Sequence, residues 1–172
     1  QYNQGLKAGV KGTNLKLVAR ETHAATAPNV DSQMTTLAAS GAKVLILETL
    51  GTYCPQAIGD VQKGSWKPQV IMSISCVSVS NTFARYENAE RRRNESMMKN
   101  NKVFFSPWET IHESNPQEIL EREEKVTLVP FLIMQGALDD NVLPAAQEKF
   151  AATYKAAGGA CDFRLFENSV HE

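Results

Sequence analysis

The amino-acid sequence predicts an α/β fold: a three-layer sandwich, with a mostly parallel sheet of about five strands and helices on both faces. Two observations carry this expectation. Short β-branched and aliphatic runs of strand length alternate with helical patterns along all 172 residues. The helical patterns stop at glycines, at Gly41, Gly64 and Gly158–Gly159, where a left-handed or extended residue can end a helix. The length is enough for one α/β domain with a sizeable core.

Taken in order, Leu15–Arg20 reads as the first strand. A helix follows Pro28–Val30: Asp31 or Ser32 can cap it, Met34, Leu37 and Ala38 share a face, and Gly41 ends it. Val44–Glu48 is a continuous apolar run of buried-strand type. Residues 53–64 form a helix with Pro55 in its first turn, and Gln69–Ser75 is the next strand. Residues 84–101 read as one long charged helix, supported by the Glu87–Arg91 pair. Its Arg91-Arg92-Arg93 triplet is either a phosphate site or a solvated face. Residues 102–114 look irregular and carry Phe104, Phe105 and Trp108, which either line a lid or pocket or fill a local core. Asn115-Pro116-Gln117-Glu118 has the composition of a helix start, with Asn115 as cap, Pro116 at the first helical position and Glu118 closing a capping box. Val129–Gln135 is a strand, Pro144–Ala157 a helix, and Asp162–Phe166 the last strand.

Charge and composition narrow the function classes. A net charge of −1 gives no electrostatic case for nucleic acid or an anionic membrane. No apolar run approaches the roughly 20 residues of a spanning helix. Residues 1–20 do not read as a signal peptide. Cys54, Cys76 and Cys161 are odd in number, widely spaced and without a C-x-x-C, so a disulfide framework, a zinc site or any other metal centre is not expected. No cofactor is expected. His23 and His112 stand alone in polar surroundings and read as surface residues before ligands.

The two halves of the chain resemble two different families. In residues 1–83, Tyr2-Asn3-Gln4-Gly5-Leu6-Lys7-Ala8-Gly9, Val30-Asp31-Ser32-Gln33, Leu37-Ala38-Ala39-Ser40-Gly41-Ala42 and Gly64-Ser65-Trp66-Lys67-Pro68 occur in an order and spacing that resemble one lobe of the branched-chain amino-acid periplasmic binding proteins. The resemblance implies a periplasmic origin for this segment. It also implies a small ligand, an amino acid or carboxylate, at the turn Glu48-Thr49-Leu50-Gly51-Thr52-Tyr53, with Thr49, Gly51, Thr52 and Tyr53 as contacts. Hydroxyls and backbone N–H groups at a helix start suit a small anion; an ordinary strand-to-helix turn is the other reading.

Residues 84–172 are similar to the end of an α/β-hydrolase of the esterase and lipase type. The similarity rests on Ala84-Arg85-Tyr86, Asn115-Pro116-Gln117-Glu118-Ile119-Leu120, Gln135-Gly136-Ala137-Leu138-Asp139-Asp140-Asn141-Val142, Ala156-Ala157-Gly158-Gly159 and Phe166-Glu167-Asn168-Ser169-Val170-His171. It implies that Asp139 is the triad acid and His171 the base, the carboxylate orienting the imidazole. Asp140 is then expected to cap or hydrogen-bond the turn. The third member is missing: no Gly-x-Ser-x-Gly elbow occurs. By strand order the nucleophile turn is Thr49–Cys54, which offers Thr49, Thr52 or Cys54.

These resemblances imply a hybrid chain folded as one composite domain, whether by natural fusion, recombination or engineering. The expected activity is at most weak ester hydrolysis; the alternatives are a small-ligand binding module or a fold hybrid without evolved activity. Relatives of each half continue past the limits of this chain, so uncovered sheet edges and homo-oligomerisation are a further expectation.

Overall fold

The computed structural model describes residues 2–49, 52–74 and 80–171. The chain divides into two compact units, residues 1–78 and 79–172.

The first unit holds α1 (Tyr2–Val10), α2 (Asp31–Ala39), β1 (Val44–Glu48), α3 (Tyr53–Lys63) and β2 (Val70–Ile74). β1 and β2 pair in parallel, from Val44 beside Val70 to Glu48 beside Ile74; α3 is the crossover that parallel pairing requires. The core gathers Val30 and Met34 from the α2 region, Leu45 and Leu47 from β1, and Cys54, Ala57 and Val61 from α3. The period-two alternation of β1 puts Leu45 and Leu47 on this core, while Val44 and Glu48 are exposed. α2 ends where Gly41 adopts φ 63° and returns its N–H to the Ala38 carbonyl. Trp66 Nε1 donates to the Ala42 carbonyl at 2.9 Å and ties the loop after α3 to the entrance of β1. α1 is a helix that the mixed N-terminal sequence did not reveal.

The second unit holds α4 (Thr82–Arg91), α5 (Glu95–Phe104), α6 (Thr110–Glu113), α7 (Pro116–Glu121), β3 (Phe131–Gly136), α8 (Pro144–Ala156) and β4 (Cys161–Phe166). β3 and β4 pair in parallel, from Phe131 beside Cys161 to Gly136 beside Phe166. Ile133, Phe150, Ala151 and Tyr154 form the core between β3 and α8, with Leu120 and Phe163 packed against it. Tyr86, Phe105 and Ile111 form a second core under α4 and α6, joined by Phe83, Met98 and Trp108. Phe105 and Trp108 thus fill a local core, while Phe104 is exposed.

Three expectations are corrected. The described residues hold two two-stranded parallel sheets, a mixed α/β arrangement instead of a five-strand, three-layer sandwich. Leu15–Arg20 forms no strand: no described residue pairs with it, and Leu15 and Val18 are exposed. The helix expected over 84–101 is two helices. Arg93 turns to φ 55°, its N–H bonding the Glu90 carbonyl and the Asn94 N–H that of Ala89, the paired bonds of a Schellman stop. Asn94 then caps α5 by accepting the Met97 N–H at 3.0 Å.

At α7, Pro116 takes the first helical position. The Asn115 side chain accepts the Thr82 N–H and donates to Asn81 Oδ1 and Glu118 Oε1, so Glu118 meets the cap residue's amide and not its backbone. No helix among the described residues is long and apolar enough to cross a membrane.

Candidate functional site

Parallel pairing brings the C-terminal ends of β3 and β4 to one edge. Main-chain bonds then hold the two following segments together. Ala137 N–H donates to the Phe166 carbonyl and Leu138 N–H to the Ser169 carbonyl, both at 2.9 Å. Gly136 makes this approach possible: a Cβ there would stand 2.5 Å from the Ser169 carbonyl oxygen. The glycine is needed here for closeness, not for an unusual φ.

The result is that Asp139, in the turn after β3, and His171, beyond β4, meet. His171 Nδ1 lies 2.9 Å from Asp139 Oδ2. Asp139 is 9% exposed, and its carboxylate is well supplied with donors. Oδ1 accepts the Asn141 N–H at 2.9 Å and the Val142 N–H at 2.8 Å. Oδ2 also accepts the Gln135 side-chain amide at 3.3 Å. Burial alone pushes the Asp139 pKa up. The bonds from His171, Val142 and Asn141, with the attraction of the imidazolium, outweigh it, and the carboxyl lies below its ordinary value.

The far side of the ring is also occupied. Asn141 Nδ2 lies 3.0 Å from His171 Nε2. The Asn141 oxygen in turn accepts from Arg85 Nε at 3.3 Å. Burial lowers the Arg85 pKa and the Asp139 charge opposes this; a guanidinium remains cationic near neutrality. Among the described residues, the hydrogen-bond partners of the His171 ring are Asp139 and Asn141, and neither is a hydroxyl or thiol.

The expectation that Asp140 ties the turn is replaced. Asp139 itself caps the turn, and Asp140 faces outward in an ion pair with Arg92 at 3.0 Å. The Asp140 carbonyl accepts from Asn88 Nδ2 at 2.6 Å and Arg92 Nη1 at 2.7 Å, which pins the turn to α4.

The other residues read from the sequence lie in the first unit. Thr49 Oγ1 is 2.8 Å from His23 Nε2, and His23 Nδ1 is 3.0 Å from the Ala24 carbonyl. A carbonyl only accepts, so in the neutral ring Nδ1 carries the hydrogen and Thr49 donates to Nε2. Tyr53 packs on the His23 ring, centroids 4.3 Å apart, and its hydroxyl donates to the carbonyls of Ala25 and Ala27 at 2.7 and 2.8 Å. His23 is therefore a bonded member of this turn and not a lone surface residue. Thr52 is exposed at the start of α3 and makes no side-chain cap bond. Cys54 is fully buried in the core, which denies its sulfur access to a substrate from solvent. Gly51 lies outside the described residues.

A partly open cleft of about 520 Å³ is lined by His23, Thr49 and Tyr53 together with Arg20 and Glu48, and by the apolar face of α2. No group of three or more His, Cys, Asp or Glu residues stands ready for a metal among the described residues. Searches for matching protein-family models, curated proteins and solved structures found no match.

Sequence reasoning missed the supporting parts of both clusters. Gln135 and Asn141 are uncharged amides, which carry no signal of their own, and Arg85 acts through Asn141, 56 positions away in sequence. The pattern that could have flagged Gln135 is a polar residue closing an otherwise apolar strand.

Proposed function

We propose that Asp139 and His171 form a partial esterase-type hydrolase site: a general base, oriented by a carboxylate, without a serine nucleophile. The observation that carries this reading is the 2.9 Å bond from His171 Nδ1 to a buried carboxylate whose other oxygen is held by two backbone N–H groups. That arrangement selects one imidazole tautomer and stabilises the imidazolium. With no side-chain nucleophile on the ring among the described residues, the chemistry left to the site is activation of water. Nε2 takes a proton from water, the hydroxide adds to the ester carbonyl, and the imidazolium returns the proton to the departing alkoxide.

Such a site is weak because it lacks the elbow serine. The resemblance to the end of an esterase supports the substrate class, and the hybrid origin of the chain accounts for the missing part. The test is hydrolysis of a short-chain aryl ester by the parent, His171→Ala and Asp139→Asn. A parent rate above both variants is expected, well short of the ~10²–10⁴ that a fully positioned base supplies. Equal rates at the buffer background would overturn the reading.

A second reading is favoured by the cleft of the first unit. Its volume of about 520 Å³ falls within the range of small-ligand sites, roughly 300–1,000 Å³. We infer that it takes an amino acid or small carboxylate, with Arg20 on the cleft wall facing the carboxylate. Thermal-shift screening at millimolar ligand tests this, since a ligand of the native state must raise its stability. A panel without any shift counts against it.

A further inference from the structure

The hydrogen-bond directions around His171 are fixed by chemistry. Arg85 Nε can only donate, so the oxygen of the Asn141 amide faces it. The Asn141 nitrogen, which also only donates, then faces His171 Nε2. The ring must meet it with a lone pair, which leaves Nδ1 to carry the hydrogen toward Asp139. Donors therefore run in one sense: Arg85 to Asn141, Asn141 to His171, His171 to Asp139.

We propose that Asn141 is the positioning residue of this site: its amide holds His171 in the tautomer that Asp139 requires, and covers the lone pair that must serve as base. This rests on the partial-hydrolase reading above and adds the control of that site. The covering amide stands where an incoming donor, water or an alcohol, must bind. A substrate can reach Nε2 only by displacing it. Turning the amide over in place does not help, because it would set nitrogen against the Arg85 guanidinium. The side chain has to swing away. Arg85 thus holds the cover closed through its bond to the Asn141 oxygen.

The protonated ring makes the same point. Nε2–H would face the Asn141 N–H₂, donor against donor, so proton uptake at Nε2 also needs the amide to leave. Among the described residues, the charged and titratable groups bonded into this cluster are Asp139 at Nδ1, Arg85 on α4 behind the amide, and the Arg92–Asp140 pair at the turn.

The test reads the nitrogen itself. Long-range ¹H–¹⁵N spectra of the parent at about pH 9, above the ordinary imidazole range, should place the His171 hydrogen on Nδ1 and a hydrogen-bonded lone pair on Nε2. In Asn141→Ala, which keeps the backbone N–H that bonds Asp139, the Nε2 resonance should move to the position of an uncovered nitrogen. The rate of carbethoxylation of His171 by diethyl pyrocarbonate, followed by peptide mass, should rise several-fold. Arg85→Gln should give a smaller rise, because the amide is then free to turn. An unchanged Nε2 resonance and an unchanged His171 carbethoxylation rate in Asn141→Ala would overturn the proposal, as would a hydrogen on Nε2 in the parent. If Asn141→Ala unfolds, the parent spectrum alone still decides between a covered and an uncovered Nε2. A raised carbethoxylation rate with no gain in ester hydrolysis would keep the cover and discard the hydrolase reading.

Discussion

At the scale of the residue, Asp139 is the centre on which the second unit's site depends. Its carboxyl is held below the ordinary range, so the folded chain binds fewer protons than the unfolded chain on the acid side. The stability it contributes is present above about pH 4 and is lost as pH falls through the lower folded value. Thermal melts across this range should therefore steepen in the parent and flatten in Asp139→Asn. At neutral pH the same substitution should cost about 1.5–3 kcal/mol, the scale of a hydrogen bond to a charged group. The meeting of Asp139 and His171 was legible in the sequence because the strand spacing put both at one edge. Asn141 was not. Its importance lies in which of its two amide atoms faces which neighbour, and that follows from Arg85, far away in sequence.

At the scale of the element, the visible helix stops are those that use glycine. Gly158, at φ 92°, ends α8 where the sequence placed the end. Arg93 and Glu123, both at φ 55°, end α4 and α7 with the same paired bonds, but neither residue type announces a left-handed turn. That is why residues 84–101 read as one helix. The left-handed conformation strains a side chain that glycine would lack, so Arg93→Gly should raise stability by about 0.5–1 kcal/mol after the entropy of glycine is set against it. Chemical denaturation checks the sign. Gly136→Ala works the other way. Its Cβ would press on the Ser169 carbonyl, and overpacking of this kind costs about 1–3 kcal/mol. It should also part His171 from Asp139, visible as loss of the Nδ1–H resonance.

At the scale of the whole molecule, the continuous apolar runs pointed to strands correctly and to their surroundings only in part. Val129–Met134 has the composition of a strand covered on both faces. In the chain Ile133 is buried while Phe131, Leu132 and Met134 are more than two-fifths exposed. The sequence carries the apolarity of a wider sheet, and the described residues build two-stranded ones. Exposed apolar strands beside open edges favour association. Light scattering after size exclusion should show a mass that rises with protein concentration, and Leu132→Lys with Met134→Lys should reduce it. A monomer at every concentration would refute this expectation.

The backbone bonds from Ala137 and Leu138 to Phe166 and Ser169 have one more consequence. Because carbonyls and N–H groups do the fastening, the identities of Glu167 and Asn168 matter little to where His171 arrives. The number of residues between β4 and His171 matters a great deal. The site should therefore accept many spellings of that segment and no change in its length. A library of substitutions at those two positions should keep the acid and base together, and deletion of either residue should separate them.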